Sequence, residues 1–260
     1  MIHLDPIVVQ QLAERDKRLD KRALDEYRPI TIETDVVTSA EGSARVRMGK
    51  TELIAGIKMA LGEPFEDTPD EGVIIVGVEF VPLADAEFES GPPDRDAVET
   101  ARVIDRAIRE SKCIDLKKLV VEEGKKVWMI SIDIDVLDND GNLIDAGSLA
   151  AVAALLTAKI PDCDEKGSVI TDRKGSVALP VHHKPVSTTF GKIGNKILVD
   201  PNRDEMNALD ARLTVGTFEE HGAIKYASMQ KGCPGGFTFE EIEQILDLAA
   251  QKGKELRALL

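Results

Sequence analysis

The sequence predicts an α+β fold, built as a pseudo-repeat of strand groups that each end in a helix. Three observations lead there. Strand-patterned runs are followed by a helical segment twice along the chain. One helical segment, Ala146 to Lys159, is apolar on every side, with Leu149, Ala150, Ala151, Val152, Ala153, Ala154, Leu155 and Leu156 in succession. Such a helix has to be buried all round, between two layers. No linker rich in Pro, Gly or Ser divides the chain. Residues 1–24 read as an N-terminal helical extension, and 25–260 as one compact domain closed by a C-terminal helix.

Taken in order, residues 6–19 carry Ile7, Val8, Leu12 and Leu19 among polar residues, the pattern of an amphipathic helix opened by Pro6. The basic run Arg15, Lys17, Arg18, Lys21 and Arg22 reads as a solvated helix end that complements the helix dipole; the alternative is a phosphate-facing role. From Pro29, the residues Ile30, Ile32, Thr34, Val36 and Thr38 alternate as in a strand. Ser43 to Met48 and Thr51 to Leu61 give two more strands, joined at Gly49-Lys50. The acidic stretch Glu63 to Gly72, with Pro64 and Pro69, is a loop, and Gly72 to Phe80 reads as a buried strand. Asp94 to Ser111 is a helix with Asp94 and Asp96 at its start, where the dipole favours carboxylates.

The second round begins with a long strand, Val127 to Leu137, and a turn at Asp138-Asn139-Asp140-Gly141 that leads to the buried helix. Strand patterns follow at Ser168–Ile170, Ser187–Ile193, Lys196–Val199, Ala211–Glu219 and Ile224–Met229. Thr238 to Leu260 is an amphipathic helix, with Thr238 as N-cap and Glu241 completing a capping box.

The 260 residues hold 33 Lys and Arg against 47 Asp and Glu, a formal charge of −14. This argues against a generic basic nucleic-acid binder. It leaves room for a local basic face, because screening confines exposed charges to about 10 Å. The three cysteines, Cys113, Cys163 and Cys233, are far apart and form no C-x-x-C pair, so they read as reduced thiols. No run of about 18 apolar residues exists. Met1 to Gln10 lacks the basic flank and apolar segment of a signal peptide. The expectation is a cytoplasmic protein with no membrane contact. Asp133, Asp135, Asp138 and Asp140 alternate, but the glycine and glutamate of a calcium loop are missing. Adjacent His182 and His183 would point to opposite faces of a strand. Neither set is read as a metal site, and no cofactor is expected.

At about 100° per residue, Arg102, Arg106 and Arg109 fall within roughly 60° of one another on the helix 94–111. Ala97, Ala101, Ile104 and Ile108 lie opposite and face the core. Arginine suits bidentate contact with phosphate. The alternative is an ordinary solvated face neutralised by Glu99, Asp105 and Glu110, and periodicity alone favours that alternative.

Several blocks, in order, resemble the RNase PH-like family. Lys21-Arg22-Ala23-Leu24-Asp25-Glu26-Tyr27-Arg28-Pro29-Ile30 is similar to its opening signature. Gly42-Ser43-Ala44-Arg45-Val46-Arg47-Met48-Gly49-Lys50-Thr51 resembles the next strand and turn. Gly91-Pro92-Pro93-Asp94, Ala101-Arg102-Val103 and Asp105-Arg106 resemble the arginine-bearing helix, and Leu143 to Leu156 the buried one. The resemblance covers roughly residues 20–250. It implies an RNase PH fold of the ribosomal-protein-S5 domain 2-like type.

The family includes phosphate-dependent 3′→5′ exoribonucleases and the ring subunits of the exosome. The N-terminal helix, the Gly-Pro-Pro-Asp loop and Leu179-Pro180-Val181 make the chain resemble the non-catalytic archaeal ring subunit. Active members carry two glycines, a small hydroxyl residue and often an arginine after the long strand, cradling phosphate. Here the stretch is Gly141-Asn142-Leu143-Ile144, and neither Leu143 nor Ile144 can offer a side-chain hydrogen bond. Active members also place two aspartates on and after a later strand, whereas no Asp or Glu lies between Asp172 and Asp200.

The resemblance therefore implies no catalytic residues in this chain. It implies a catalytic RNase PH-like sister in an alternating hexameric ring, RNA-binding cap proteins, and single-stranded RNA held at Arg102 and Arg106, with Arg109 as a third candidate. The runner-up is an active exoribonuclease using carboxylates such as Asp200 and Asp204. A third reading is a purely structural scaffold. A fourth, a kinase of the related left-handed β-α-β superfamily, lacks the glycine-rich serine loop.

Overall fold

A computed structural model describes residues 5–164, 169–170 and 175–260. After α1 (Pro6–Glu14) come β1 (Ile30–Thr34), β2 (Gly42–Met48), β3 (Thr51–Gly62), β4 (Val73–Phe80) and α2 (Arg95–Glu110). A 3-10 turn at Leu116–Leu119 leads to β5 (Val120–Glu122), β6 (Lys126–Asp138) and α3 (Leu143–Thr157). The short β7 (Lys159–Ile160) and β8 (Val177–Ala178) pair with each other. The chain then forms β9 (Val186–Ile193), β10 (Lys196–Val199), α4 (Arg203–Met206), β11 (Ala211–Glu220), β12 (Ala223–Gly232) and α5 (Phe239–Arg257).

The first sheet runs β1-β2-β3-β6-β4, with β5 beside β6, and only β4 lies parallel to its neighbour. The second sheet is antiparallel, in the order β10-β9-β11-β12. Helix α3 sits between them, against β2 and β3 on one side and β9 on the other. Every residue from Ile144 to Leu155 is buried, as an all-round apolar helix requires. On β9, Thr189 turns toward α3 while its neighbour Phe190 packs with Ile245 and Ala249 of α5. The two helices therefore cover opposite faces of the second sheet. Close approach of β2 to α3 explains Gly42: a Cβ there would lie 2.4 Å from the Ala154 carbonyl oxygen. No described helix is long and apolar enough to cross a membrane.

The α+β architecture expected from the sequence is present, and so is the capping box of α5. Thr238 Oγ1 accepts from the Glu241 amide at 3.3 Å, and Glu241 Oε2 accepts from the Thr238 amide at 2.7 Å. Several boundaries differ. The first strand stops at Thr34 because Asp35 adopts φ 57°, so Val36 and Thr38 lie outside it. Gly72 to Phe80 is not a fully buried strand: β4 is an edge that pairs only with β6 and leaves Ile75 47% exposed. Helix α3 starts three residues before the expected Ala146. Ser168 lies outside the described residues, and Val169 makes only an isolated bridge to Cys163.

The largest correction concerns the basic run after α1. The helix ends at Glu14, and Asp16 turns the chain with φ 54°. Arg18 is not solvated; it is 4% exposed. Its Nε donates to Glu205 Oε1 at 2.8 Å, and its Nη atoms donate to the carbonyls of Val199 (2.8 Å) and Asp200 (2.7 Å). Arg22 pairs with Asp20 at 2.7 Å and Asp200 at 2.9 Å. These arginines fasten the N-terminal segment to the second sheet and α4. Removing one member of a buried pair strands its partner's charge, at a cost of about 3–5 kcal/mol. Glu205→Ala is expected to destabilise the chain by that amount in guanidinium unfolding; a loss under about 1 kcal/mol would mean the pair adds no more than a surface one.

Candidate nucleic-acid interface

Helix α2 is set by its own sequence. Asp94 caps it, accepting from the Ala97 amide at 2.8 Å. Ala97, Thr100, Val103, Ile104, Ala107 and Ile108 form the buried stripe. Ala101, expected in that stripe, is only half-buried. The helix packs on β4 and β12 and so bridges the two sheets.

Arg102, Arg106 and Arg109 are all exposed, as the periodicity predicts, but they differ in engagement. Arg109 Nη2 donates to Asp105 Oδ1 at 2.7 Å and to the Ile74 carbonyl at 3.1 Å. Arg102 and Arg106 have no hydrogen bond or ion pair among the described residues. Of the three carboxylates expected to neutralise them, two are committed elsewhere and the third, Glu110, adds its charge at Arg109. Asp105 holds Arg109, and Glu99 accepts from Arg212 Nη2 at 2.5 Å. The solvated, neutralised face therefore applies to Arg109 and not to its two neighbours.

An open groove runs beside this stripe, between α2 and the end of β12. Arg95, Arg102 and Arg106 line one wall, and Arg212 and Lys231 the other, with Asp96 and Glu99 between. The sequence reading missed three of these cations. Arg95 was detectable, because seven residues before Arg102 places it within roughly 20° of the same stripe. Arg212 and Lys231 reach the groove only through tertiary packing.

The turn where active relatives would cradle phosphate is closed. Gly141 and Asn142 both have positive φ (85° and 55°), and α3 begins directly after them. A free helix N-terminus attracts anions, but here two buried carboxylates of the chain, Asp145 and Asp200, hold the side chain of the N-cap residue Asn142. Asn142 Nδ2 donates to Asp145 Oδ2 at 2.9 Å and to Asp200 Oδ1 at 2.8 Å. Asp145 also accepts from Tyr27 Oη (2.9 Å), the Thr189 amide (2.8 Å) and Thr189 Oγ1 (2.7 Å). Asp200 accepts from Arg28 Nη2 (2.7 Å) and Arg22 Nη1 (2.9 Å). Arg28 further donates to the carbonyls of Asp140 (2.7 Å) and Gly141 (3.1 Å). Both carboxylates are wholly buried. An incoming phosphate would find no opening and two like charges.

Burial dominates the titration of this cluster and pushes the Asp145 carboxyl up to about 6, against four donors that favour its charge. Burial also raises Tyr27 well above the usual phenol range, and the charges of Asp145 and Asp200 add to that. At Asp200 burial is outweighed by hydrogen bonds from, and the charge of, Arg28, so its pKa lies below the usual carboxylate value. Asp200 is thus locked in an arginine clamp, unsuited to the open acid role of the runner-up reading. Asp204 is half-buried on α4 and adds like charge at Asp140.

His182 and His183 diverge. His182 Nε2 lies 3.7 Å from Asp115, while His183 Nε2 lies 3.8 Å from Glu220 and its ring tilts on Phe218. Asp133 and Asp135 stand on the open face of β6. Among the described residues, no group of three or more His, Cys, Asp or Glu could hold a metal ion.

The raised pKa of Asp145 carries a pH signature. The folded chain binds a proton between the ordinary carboxylate range and about pH 6 that the unfolded chain does not, so this group's share of stability falls as pH rises through that window. Relative to wild type, Asp145→Asn is expected to gain up to about 3 kcal/mol on going from about pH 4 to above pH 6. Guanidinium unfolding across that range checks it; a constant difference would refute the assignment.

Known proteins resemble this chain over most of its length. The family described as "3' exoribonuclease family, domain 1" matches residues 26–161, and its domain 2 matches residues 183–252. "Exosome complex component Rrp42" of Thermococcus gammatolerans is 49% identical over 254 residues, covering 97% of this chain and 92% of that protein. The protein of the same name in Methanothermobacter thermautotrophicus is 46% identical over 249 residues, 95% of this chain and 91% of the other. A chain of the solved structure "archaeoglobus fulgidus exosome with RNA bound to the active site" superimposes with TM-score 0.89 at 44% identity, covering 97% and 96% of the two chains.

Proposed function

The chain belongs to the RNase PH family of 3′ exoribonucleases, and on that premise we propose that it is a non-catalytic exosome subunit that holds single-stranded RNA. In this reading it alternates with a catalytic RNase PH-like sister in a hexameric ring, beneath RNA-binding cap proteins. The sister performs phosphorolysis, and this chain completes the sister's active site with Arg102 and Arg106.

The observation that carries the reading is a contrast between two sites. At the family's phosphate-cradling turn the Asn142 side chain is held by buried Asp145 and Asp200, whereas Arg102 and Arg106 stand exposed with Asp105 and Glu99 turned to other partners. A guanidinium without a carboxylate partner is ready to meet a phosphodiester. Arg109, held by Asp105 and Ile74, contributes positive field and steadies the helix. The acidic remainder of the surface does not oppose this, because a strand needs only a local basic track. The Archaeoglobus fulgidus structure named above, described as an exosome with RNA bound to the active site, supports the reading of an exosome subunit that works on RNA.

Two outcomes are expected. The chain alone, given poly(A) and inorganic phosphate, releases no nucleoside diphosphates, while the ring assembled with its sister does; equal turnover by the isolated chain would restore the active-enzyme reading. In the assembled ring, Arg102→Gln/Arg106→Gln lowers the salt slope of RNA affinity by about 1.4, or about 0.7 per lost phosphate contact. An unchanged slope with assembly intact would favour the structural-scaffold reading.

A further inference from the structure

A second groove lies at the C-terminal end of α5 and shares no lining residue with the arginine groove of α2. It gathers three of the chain's four histidines, His182, His183 and His221, with Lys254 and Arg257. The histidine pair comes from the stretch between β8 and β9. His221 comes from the tip of the β11–β12 hairpin, where His221 and Gly222 take φ 52° and 78°, as a tight two-residue turn requires.

Arg257 is the unusual member. It is 8% exposed, and its Nη1 donates to Thr217 through the carbonyl at 3.1 Å and Oγ1 at 3.0 Å. Its Nε and Nη2 are buried with no hydrogen-bond partner among the described residues. Gly253 makes the room, since a Cβ there would lie 3.1 Å from Arg257 Nη1. Burial lowers the Arg257 pKa, and the charge of Glu219 pulls the other way. Cations in the last turn of a helix complement its dipole. That accounts for Lys254 and Arg257 on α5, but not for two orphaned guanidinium donors or for histidines converging from two other segments.

The surrounding charges do not fill the site. Glu219 is the one acid in the lining, while Asp115 and Glu220 stand 3.7 and 3.8 Å from the imidazoles of His182 and His183. Lys184 donates to the main-chain oxygen of Leu260 at 3.1 Å. Lys254 is exposed, and its ammonium has no hydrogen bond or ion pair among the described residues.

We propose that this groove is an oxyanion site that takes a phosphate group, inorganic or from a nucleic-acid strand. Arg257 brings an unpartnered Nε–Nη2 edge, buried at the groove wall, that matches phosphate oxygens once uncovered; Lys254 stands free at the rim, and the imidazoles beside them sense the occupant. The site does not depend on the role proposed for Arg102 and Arg106.

Histidine ring resonances of the full chain, assigned by single His→Gln variants, test this at constant ionic strength with chloride as control. Titration with inorganic phosphate, or with a short oligoadenylate, is expected to shift the His182, His183 and His221 signals, and Lys254→Gln weakens that response about tenfold, the loss typical of one charge-assisted hydrogen bond. Arg257→Gln abolishes it; should that variant not fold, Lys254→Gln decides alone. An oligonucleotide response at about tenfold lower concentration than phosphate identifies a strand as the ligand, and a phosphate response without that gain identifies the free anion. Silence toward both probes, or a response unchanged in Lys254→Gln, overturns the proposal.

Discussion

Helix α3 has no polar side to turn to water, and from Ile144 to Leu155 it touches only protein. That single constraint dictates the architecture. A helix of this kind needs a sheet on each flank, which is why β2 and β3 enclose it from one side and β9 from the other. It also buries its own N-terminus, with amide groups that have no partner inside the helix. Polar side chains gather there, although none caps those amides among the described residues. Asn142, Asp145, Asp200, Arg28 and Thr189 form one connected polar cluster beneath the first turn. A partly satisfied cluster in so dry a place is costly, and Asn142 Oδ1 is the buried side-chain atom of this cluster left without a hydrogen-bond partner among the described residues.

The proposed division of function follows from this arrangement. A chain that has turned the anion-binding end of its central helix inward no longer has that end for a substrate. In the proposed reading its surface chemistry resides on α2, the helix that bridges both sheets and presents cations outward. Rigidity of the bridge is useful: a charge held on a well-packed helix keeps its place. Net acidity and a cationic track coexist because each side chain answers to its nearest neighbours.

The sequence exposed what is periodic or local. The alternation of β2 and β3, the all-apolar run of α3, the Thr238–Glu241 cap and the arginine stripe each repeat a pattern within a few residues, and each was found in place. What stayed hidden is what depends on distant partners. Arg18 looked like a solvated helix end because Glu205 lies 187 positions away. The fate of Glu99 could not be read without Arg212, 113 positions downstream, and on that pairing rests the freedom of Arg102. The edge position of β4 was equally illegible, since an apolar run looks the same whether one or two strands flank it. Absence of acids before Asp200 was legible, but the burial of Asp200 itself was not.

Arg109 shows how one side chain can serve the solubility of a sheet. β4 is the open border of the first sheet, and a row of unpaired main-chain groups invites stray strands from other molecules. The guanidinium of Arg109 covers one of those carbonyls, at Ile74, and sets a positive charge over the border. The arginine thereby also discourages self-association, shielding the chain from adding itself, edge to edge, to its own copies.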